Sequence, residues 1–255
     1  MSILFSPLEQ FEILPLLHFN IGIFDISITN QTIILFLAIF LFFSLFYISL
    51  NHSTFSLSII PNRLQVIIEY IYVLILSMVV DNINGKTNES YFPLVFTVFF
   101  FIISLNLIGL VPYSFTVTSH FITTLALSLI VFIGMNIICV KTHGLEFFSL
   151  FLPSGTSFAL SFLLVPIELI SYIFKPISLA IRLFCNIMAG HTLLKVFVGF
   201  AWSLMSFSGA LCLLQIVPLA LLIPLFILEF GVAIIQAFVF SLLTCIYLND
   251  AINFQ

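Results

Sequence analysis

Charge is nearly missing from this chain. Six Lys and Arg and ten Asp and Glu are spread over 255 residues, 6% of the total, where an ordinary soluble domain carries about 25%. With 62% of residues apolar and a mean hydropathy of +1.33, a soluble globular fold is excluded, because only lipid can cover that much apolar surface. The shortage of basic residues, with a net charge of −4, excludes a nucleic-acid binder, which needs clustered Lys and Arg against phosphate. Cys139, Cys185, Cys212 and Cys245 stand singly in apolar runs. With no CxxC or metal-type spacing they read as small hydrophobes, and no disulfide framework is implied. No GxxxxGK[ST] phosphate loop occurs, so nucleotide chemistry of that type is not expected here. The first thirty residues hold Glu9, Glu12 and Asp25 but no Lys or Arg, unlike a secretory signal or a transit peptide. The expectation is a chain made where it is used, which Met1 favours, or one whose targeting segment has been removed.

What is present is a series of long charge-poor stretches, and a spanning helix needs about 20 of such residues. Gln31 to Leu50 reads as a first span. Pro61 to Val80 carries Arg63, Gln65 and Glu69 near its start and Asp81 just past its end, with proline at a suitable first helical position. It reads as a helix at the membrane interface or entering it obliquely. Residues 91–140 accommodate two spans broken at Val111-Pro112-Tyr113-Ser114, where proline and polar neighbours suit a turn. From Phe158 to Phe200 and from Phe207 to Leu248 run two segments of about 40 residues, roughly 60 Å if helical and twice the hydrocarbon thickness. Each is either two upright helices or one long helix, tilted or bent. Pro166 and Pro176 in the first and Pro218 and Pro224 in the second fit breaks, yet membrane helices tolerate proline. The fold class is an all-α polytopic membrane protein, taken as a single membrane domain over 1–255. Arg63, Lys86 and Lys141 mark the loops that face the inner side, which places the N-terminus outside and the C-terminus inside.

Ionisable side chains inside apolar helices cost about 2.5–3.5 kcal/mol each on insertion scales and are therefore candidate functional groups. Glu168, Lys175, Arg182, Lys195 and Glu229 lie in the last two segments, with His191. Glu168, Lys175 and Arg182 fall within about 40° on one helical face, the first and last about 21 Å apart along the axis. His191 lies half a turn round from Arg182 and about 13 Å further along. In an antiparallel hairpin the facing helix brings Glu229 and Gln236 past this region, so that His191 with Glu229 is a candidate proton relay. The plainer readings are that Lys175 and Lys195 snorkel to the interface, and that Glu168 and Glu229 are structural partners of basic residues. Arg182 cannot shed its proton, and no carboxylate lies within four residues of it on its own helix. Asn186, four residues on, offers only a neutral amide, so the missing anion is expected from another chain. Ala233, Ala237 and Ser241, with Ser178, Ala180, Ala189 and Gly190, form the small-residue pattern that lets membrane helices approach, either between chains or within this one.

The run Ser178-Leu179-Ala180-Ile181-Arg182-Leu183-Phe184-Cys185-Asn186-Ile187-Met188-Ala189-Gly190-His191 resembles the signature of the subunit a family of F-type ATP synthases. The resemblance extends to Asn106-Leu107-Ile108-Gly109-Leu110-Val111-Pro112-Tyr113, to Pro166-Ile167-Glu168, to Glu229 with Gln236, and to Ser6-Pro7-Leu8-Glu9-Gln10-Phe11-Glu12, and so covers nearly the whole chain. It implies that residues 158–248 form a tilted membrane-embedded helical hairpin curving around a ring of c subunits. Arg182 matches the family's essential arginine facing the ring carboxylate, and Asn186 and Gln236 match polar residues beside it. His191 and Glu229 match the polar pair of the outer half-channel, and Glu168 matches the acid of the inner one. Histidine after Ala-Gly, with glutamate on the next helix, resembles the mitochondrial version, which implies the mitochondrial inner membrane; the alternative is a bacterial plasma membrane. Cys185 departs from the family's usual Gly or Ala, but it too is small. The resemblance implies a non-catalytic proton-channel subunit with no cofactor and no metal, partnered by the c-ring, other membrane-sector subunits and the peripheral stalk. Three other readings remain, one of them a purely structural assembly subunit, which predicts that the buried charges can be neutralised without loss of transport. A redox-complex subunit is disfavoured because His18, His52, His120, His143 and His191 show no paired haem-type spacing. A secondary transporter is disfavoured because the charges crowd into one region instead of recurring in two repeats.

Overall fold

The computed structural model of the chain describes residues 9–18, 20–21, 24–25, 27–51, 63–83, 88–111, 114–144, 158–205 and 214–252. Among them are six helices long and apolar enough to cross a membrane: α1 (Asn30–Asn51), α2 (Arg63–Asn82), α3 (Phe92–Gly109), α4 (Phe121–His143), α5 (Phe158–Met205) and α6 (Ile216–Ile252). Pro61, Lys86, the Pro112-Tyr113 turn, Ser6 to Leu8, His52, Phe207 and Cys212, all used in the sequence reading, lie outside the described residues.

The N-terminal segment holds local structure that the hydropathy profile does not disclose. A 3-10 turn, Glu9–Phe11, is followed by two short antiparallel ribbons, β1 (Pro15–Leu17) with β4 (Ile28–Thr29) and β2 (Asn20–Ile21) with β3 (Phe24–Asp25). Asn30 ties this segment to α1: its side-chain amide donates to the Glu12 carbonyl (3.1 Å), and its Oδ1 accepts from the N–H of Leu14 (3.3 Å) and of Gln31 (2.9 Å). Thr29 and Thr32 exchange side-chain bonds with each other's N–H groups (3.4 and 3.1 Å). That is a capping box with threonine in the glutamate position, and it satisfies donors that a helix start leaves open.

The two long segments are each a single helix. α5 runs for 48 residues, about 72 Å, and α6 for 37, about 55 Å, against about 30 Å of hydrocarbon. Neither length fits an upright crossing. Pro166 and Pro176 lie inside α5 and Pro224 inside α6 without ending them; each deprives the carbonyl four residues earlier, on Phe162, Tyr172 and Ala220, of its helical donor. Pro218 is the third residue of α6, where the missing N–H would have been unpaired anyway. α6 is described from Ile216, with Pro218 in its first turn; the start of the expected segment at Phe207 lies outside the described residues.

The chain divides into two compact units. The first contains 1–48, 100–120 and 183–237. Its core packs Ala38 of α1 with Leu105 and Ile108 of α3 and with Phe115 and Val117 of the α3–α4 connection. Phe42 and Phe46 of α1 lay their rings against Phe100 (5.8 and 5.4 Å). Asn106 of α3 donates its side-chain amide to the Ala233 carbonyl of α6 (3.2 Å).

The second unit contains 49–99, 121–182 and 238–255. Here Tyr72 of α2 meets Phe92 at the start of α3 (4.7 Å), Tyr172 of α5 hydrogen-bonds Asn136 of α4, and the His143 ring bonds the Ile252 carbonyl (2.8 Å). Lys175 of α5 pairs with Asp250 of α6 at 3.4 Å.

Candidate functional site

The expected meeting of α5 with α6 at His191 and Glu229 is present in the first unit. His191 Nε2 lies 3.5 Å from Glu229 Oε1, with side-chain exposures of 15% and 5%. Both groups therefore sit out of solvent, where an unpaired charge is costly. The gap is within ion-pair reach but wider than a well-made hydrogen bond, and neither Nε2 nor either carboxylate oxygen has a hydrogen-bond partner among the described residues. An imidazole and a carboxyl so placed need only a small closure to pass a proton between them.

Glycine makes the room for this pair. A Cβ on Gly190 would stand 2.8 Å from Glu229 Oε1 and 3.1 Å from its Cδ, closer than side-chain atoms pack. The carboxylate thus lies directly over the α5 backbone, one residue before the histidine it faces. Gly190 counted in the sequence only as one small residue among several; nothing in its spacing identified the side chain it admits.

The N-terminal turn also reaches His191. Phe11, 7% exposed, lies against the imidazole with centroids 6.4 Å apart and planes at 75°, an edge-to-face arrangement of the two rings. The backbone of Phe11 is hydrogen-bonded by His120, a bond that favours the protonated ring and is therefore donated by the imidazole to the carbonyl. Burial pushes the His120 pKa below its ordinary value, and this hydrogen bond opposes the shift in part. His120 also stacks on Phe115, with centroids 5.3 Å apart and planes at 26°.

Among the other candidates, Asn186 of α5 and Gln236 of α6 are half-buried residues of the same unit. Asn106, 1% exposed, donates one bond one helical turn beyond Glu229, and its Oδ1 is buried without a hydrogen-bond partner among the described residues. The sequence carried Asn106 only as part of a motif. Glu168 and Arg182 belong to the second unit, Glu168 exposed and Arg182 half-buried. The ion pairs among the described residues are His191–Glu229 and Lys175–Asp250, and Arg182 is in neither; Tyr247 lies within its electrostatic reach. The small residues of α6 pack within the chain: Ala233, Ala237 and Ser241 are all 0% exposed, the last with its hydroxyl 3.9 Å from Met78 Sδ; on α5 Ala180 is buried, but Ser178 and Ala189 are exposed. Lys175 lies over the rings of Tyr172 (5.5 Å) and Tyr247 (5.0 Å) beside Asp250, which accounts for its charge structurally.

Fold and site together define an all-α, multi-pass membrane protein that keeps a carboxylate and an imidazole buried against each other. Residues 31–249 match the family described as ATP synthase A chain. The chain is 52% identical over 247 residues to ATP synthase subunit a of Pylaiella littoralis, covering 97% of this chain and 98% of that one. It is 49% identical over 251 residues to the subunit a of Chondrus crispus (98% and 97% covered), and 48% identical over 251 residues to that of Marchantia polymorpha (97% and 98% covered). The chain belongs to the ATP synthase subunit a family.

Proposed function

We propose that this chain is the stator subunit that offers two proton half-channels to a rotating ring of c subunits in the membrane sector of an F-type ATP synthase, without catalysing ATP chemistry itself. The observation that carries this reading is the His191–Glu229 pair, buried, 3.5 Å apart and given its place by Gly190, in a chain of this family. In this reading the mitochondrial inner membrane houses the complex, other membrane-sector and peripheral-stalk subunits are its partners, and 1–255 acts as a single membrane domain. The helix at 61–80 lies at the interface, and the tilted hairpin over 158–248 carries the proton path.

A proton arriving from the outer side reaches His191 and Glu229 and passes to a ring carboxylate, which can turn into lipid once neutral, because the desolvation penalty falls on the ion. Arg182 lacks an acid partner among the described ion pairs and takes the ring carboxylate as its counter-ion. Its fixed charge favours ionisation of that acid and releases the proton towards Glu168, while opposing leakage between the two half-channels. Asn186 and Gln236 supply polar side chains along the proton path. Each charge carried across gains about 2.3 kcal/mol per 100 mV.

The test is ATP-driven proton pumping by the reconstituted complex. Arg182→Lys should abolish it, since an ammonium can deprotonate where a guanidinium cannot. Glu229→Gln and His191→Gln should slow proton flow and change its pH dependence. Near-normal pumping by the Arg182→Lys complex refutes the role given to the arginine, and unchanged flow in both other variants at every pH refutes the relay.

A further inference from the structure

His191 has two neighbours in the first unit, its partner acid Glu229 and Phe11, a residue that cannot titrate. Phe11 is the buried member of the turn Glu9–Phe11, between exposed Glu9 and Glu12, and its ring stands edge-to-face with the imidazole. A three-residue turn has little internal stability, so the ring keeps its place through what holds the backbone. Asn30 holds the segment just after the turn, at Glu12 and Leu14; at Phe11 itself the hold is His120, which bonds the Phe11 main chain and is itself fixed by stacking on Phe115, a member of the core with Ala38, Leu105, Ile108 and Val117. A contiguous line of contacts thus runs from the packed core through His120 and Phe11 to His191 and Glu229.

We infer that His120 and Phe11 are positioning residues for the proton pair: His120 pins the backbone of the N-terminal turn, and the Phe11 ring wedges against the His191 imidazole and restricts it in the place where it meets Glu229. The inference deepens the proposed proton path and rests on it. The gap of 3.5 Å is where such a wedge matters, because a relay through a pair already at the edge of hydrogen-bond distance loses rate steeply with any further separation. The ring is suited to the task, being rigid, apolar and directional in its contact with another aromatic ring.

The experiment measures ATP-driven proton uptake by the intact reconstituted complex. His120→Ala and Phe11→Leu should each lower uptake about tenfold, the scale seen when a residue that orients a functional group is removed. Phe11→Leu keeps apolar bulk, so it assembles where a smaller residue would leave the turn unpacked. His120→Gln, whose amide can still donate to the Phe11 carbonyl, should recover most of the rate. In a His191→Gln background neither change should lower uptake further, because there is no imidazole left to orient.

Normal uptake with His120→Ala, a His120→Gln complex as slow as His120→Ala, or an undiminished loss in the His191→Gln background each overturns the positioning role. If His191→Gln alone leaves uptake unchanged, it is the underlying proton-path reading that fails, and the positioning role with it.

Discussion

Gly190 and Glu229 occupy each other's space: a side chain at 190 would begin 2.8 Å from the Oε1 of the carboxylate and 3.3 Å from its Cγ. All three of the nearest atoms, Oε1, Cδ and Cγ, belong to the Glu229 side chain, which can yield by turning about its own bonds, but only by leaving its place opposite His191. Gly190→Ala should therefore leave the complex assembled, at an overpacking cost of about 1–3 kcal/mol, while it pushes Glu229 off His191. ATP-driven proton pumping should fall about tenfold or more. Pumping at the parent rate, with assembly confirmed on a native gel, would show that the carboxylate does not need this seat.

Lys175 and Asp250 illustrate a charge that the fold accounts for without any transport role. The ammonium is 28% and the carboxylate 48% exposed, so the pair is screened and worth at most about 1 kcal/mol. The Tyr172 and Tyr247 rings at 5.5 and 5.0 Å add about 0.5–1 kcal/mol. Lys175→Ala should lower the thermal stability of the complex by about 1–2 kcal/mol, and Asp250→Asn by less, since it leaves both rings in place. Thermal melts at low and high salt should show the Asp250→Asn deficit shrinking as salt rises. A salt-insensitive deficit equal to that of Lys175→Ala would contradict the division.

How much of this was legible in the chain varies with the kind of interaction involved. Charge-free length alone locates α1, α3 and α4, because lipid imposes it. The continuity of α5 and α6 was not legible: Pro166, Pro176 and Pro224 read equally well as breaks, and only packing decides whether a freed carbonyl is tolerated. The partnership of His191 with Glu229 followed from helical spacing and from the family signature, since both are visible in one dimension. The seat at Gly190 and the wedge at Phe11 were not, because each is a contact between residues far apart in sequence with no periodicity to announce it. The β ribbons over residues 15–29 are pairs of two- and three-residue strands, too short for an alternating pattern to register.

Asn106 tests the worth of a polar contact in an apolar setting. Its amide donates to the Ala233 carbonyl at 3.2 Å, an acceptor that also serves its own helix, while its Oδ1 is buried without a hydrogen-bond partner among the described residues. Asn106→Leu removes one good bond and one unsatisfied oxygen together. The expected loss of stability is below about 1 kcal/mol, in line with the modest value of such bonds between membrane helices. Urea or thermal titration of the purified complex measures it, and a loss of several kcal/mol would mean that the oxygen has a partner in the assembled complex.

The pH response of the N-terminal turn follows from His120, which lies just outside α4. Burial lowers its pKa in the folded chain, with the Phe11 hydrogen bond opposing in part. In the pH range between the folded and the unfolded values the loosened state therefore binds more protons, and stability there rises with pH. The contribution of this histidine is complete above its ordinary value of about 6.5 and is lost as the medium is acidified from there through the lower folded value. Glu9 and Glu12 are exposed on the same segment, and His191 faces Phe11 from α5. Hydrogen exchange at the amides of residues 9–12 should accelerate as pH falls below about 6.5 relative to the intrinsic rate at each pH. The acceleration should vanish in His120→Gln, which keeps a donor and cannot titrate, and persist in Glu9→Gln. A His120→Gln complex whose turn still loosens with acid would assign the titration to a different group.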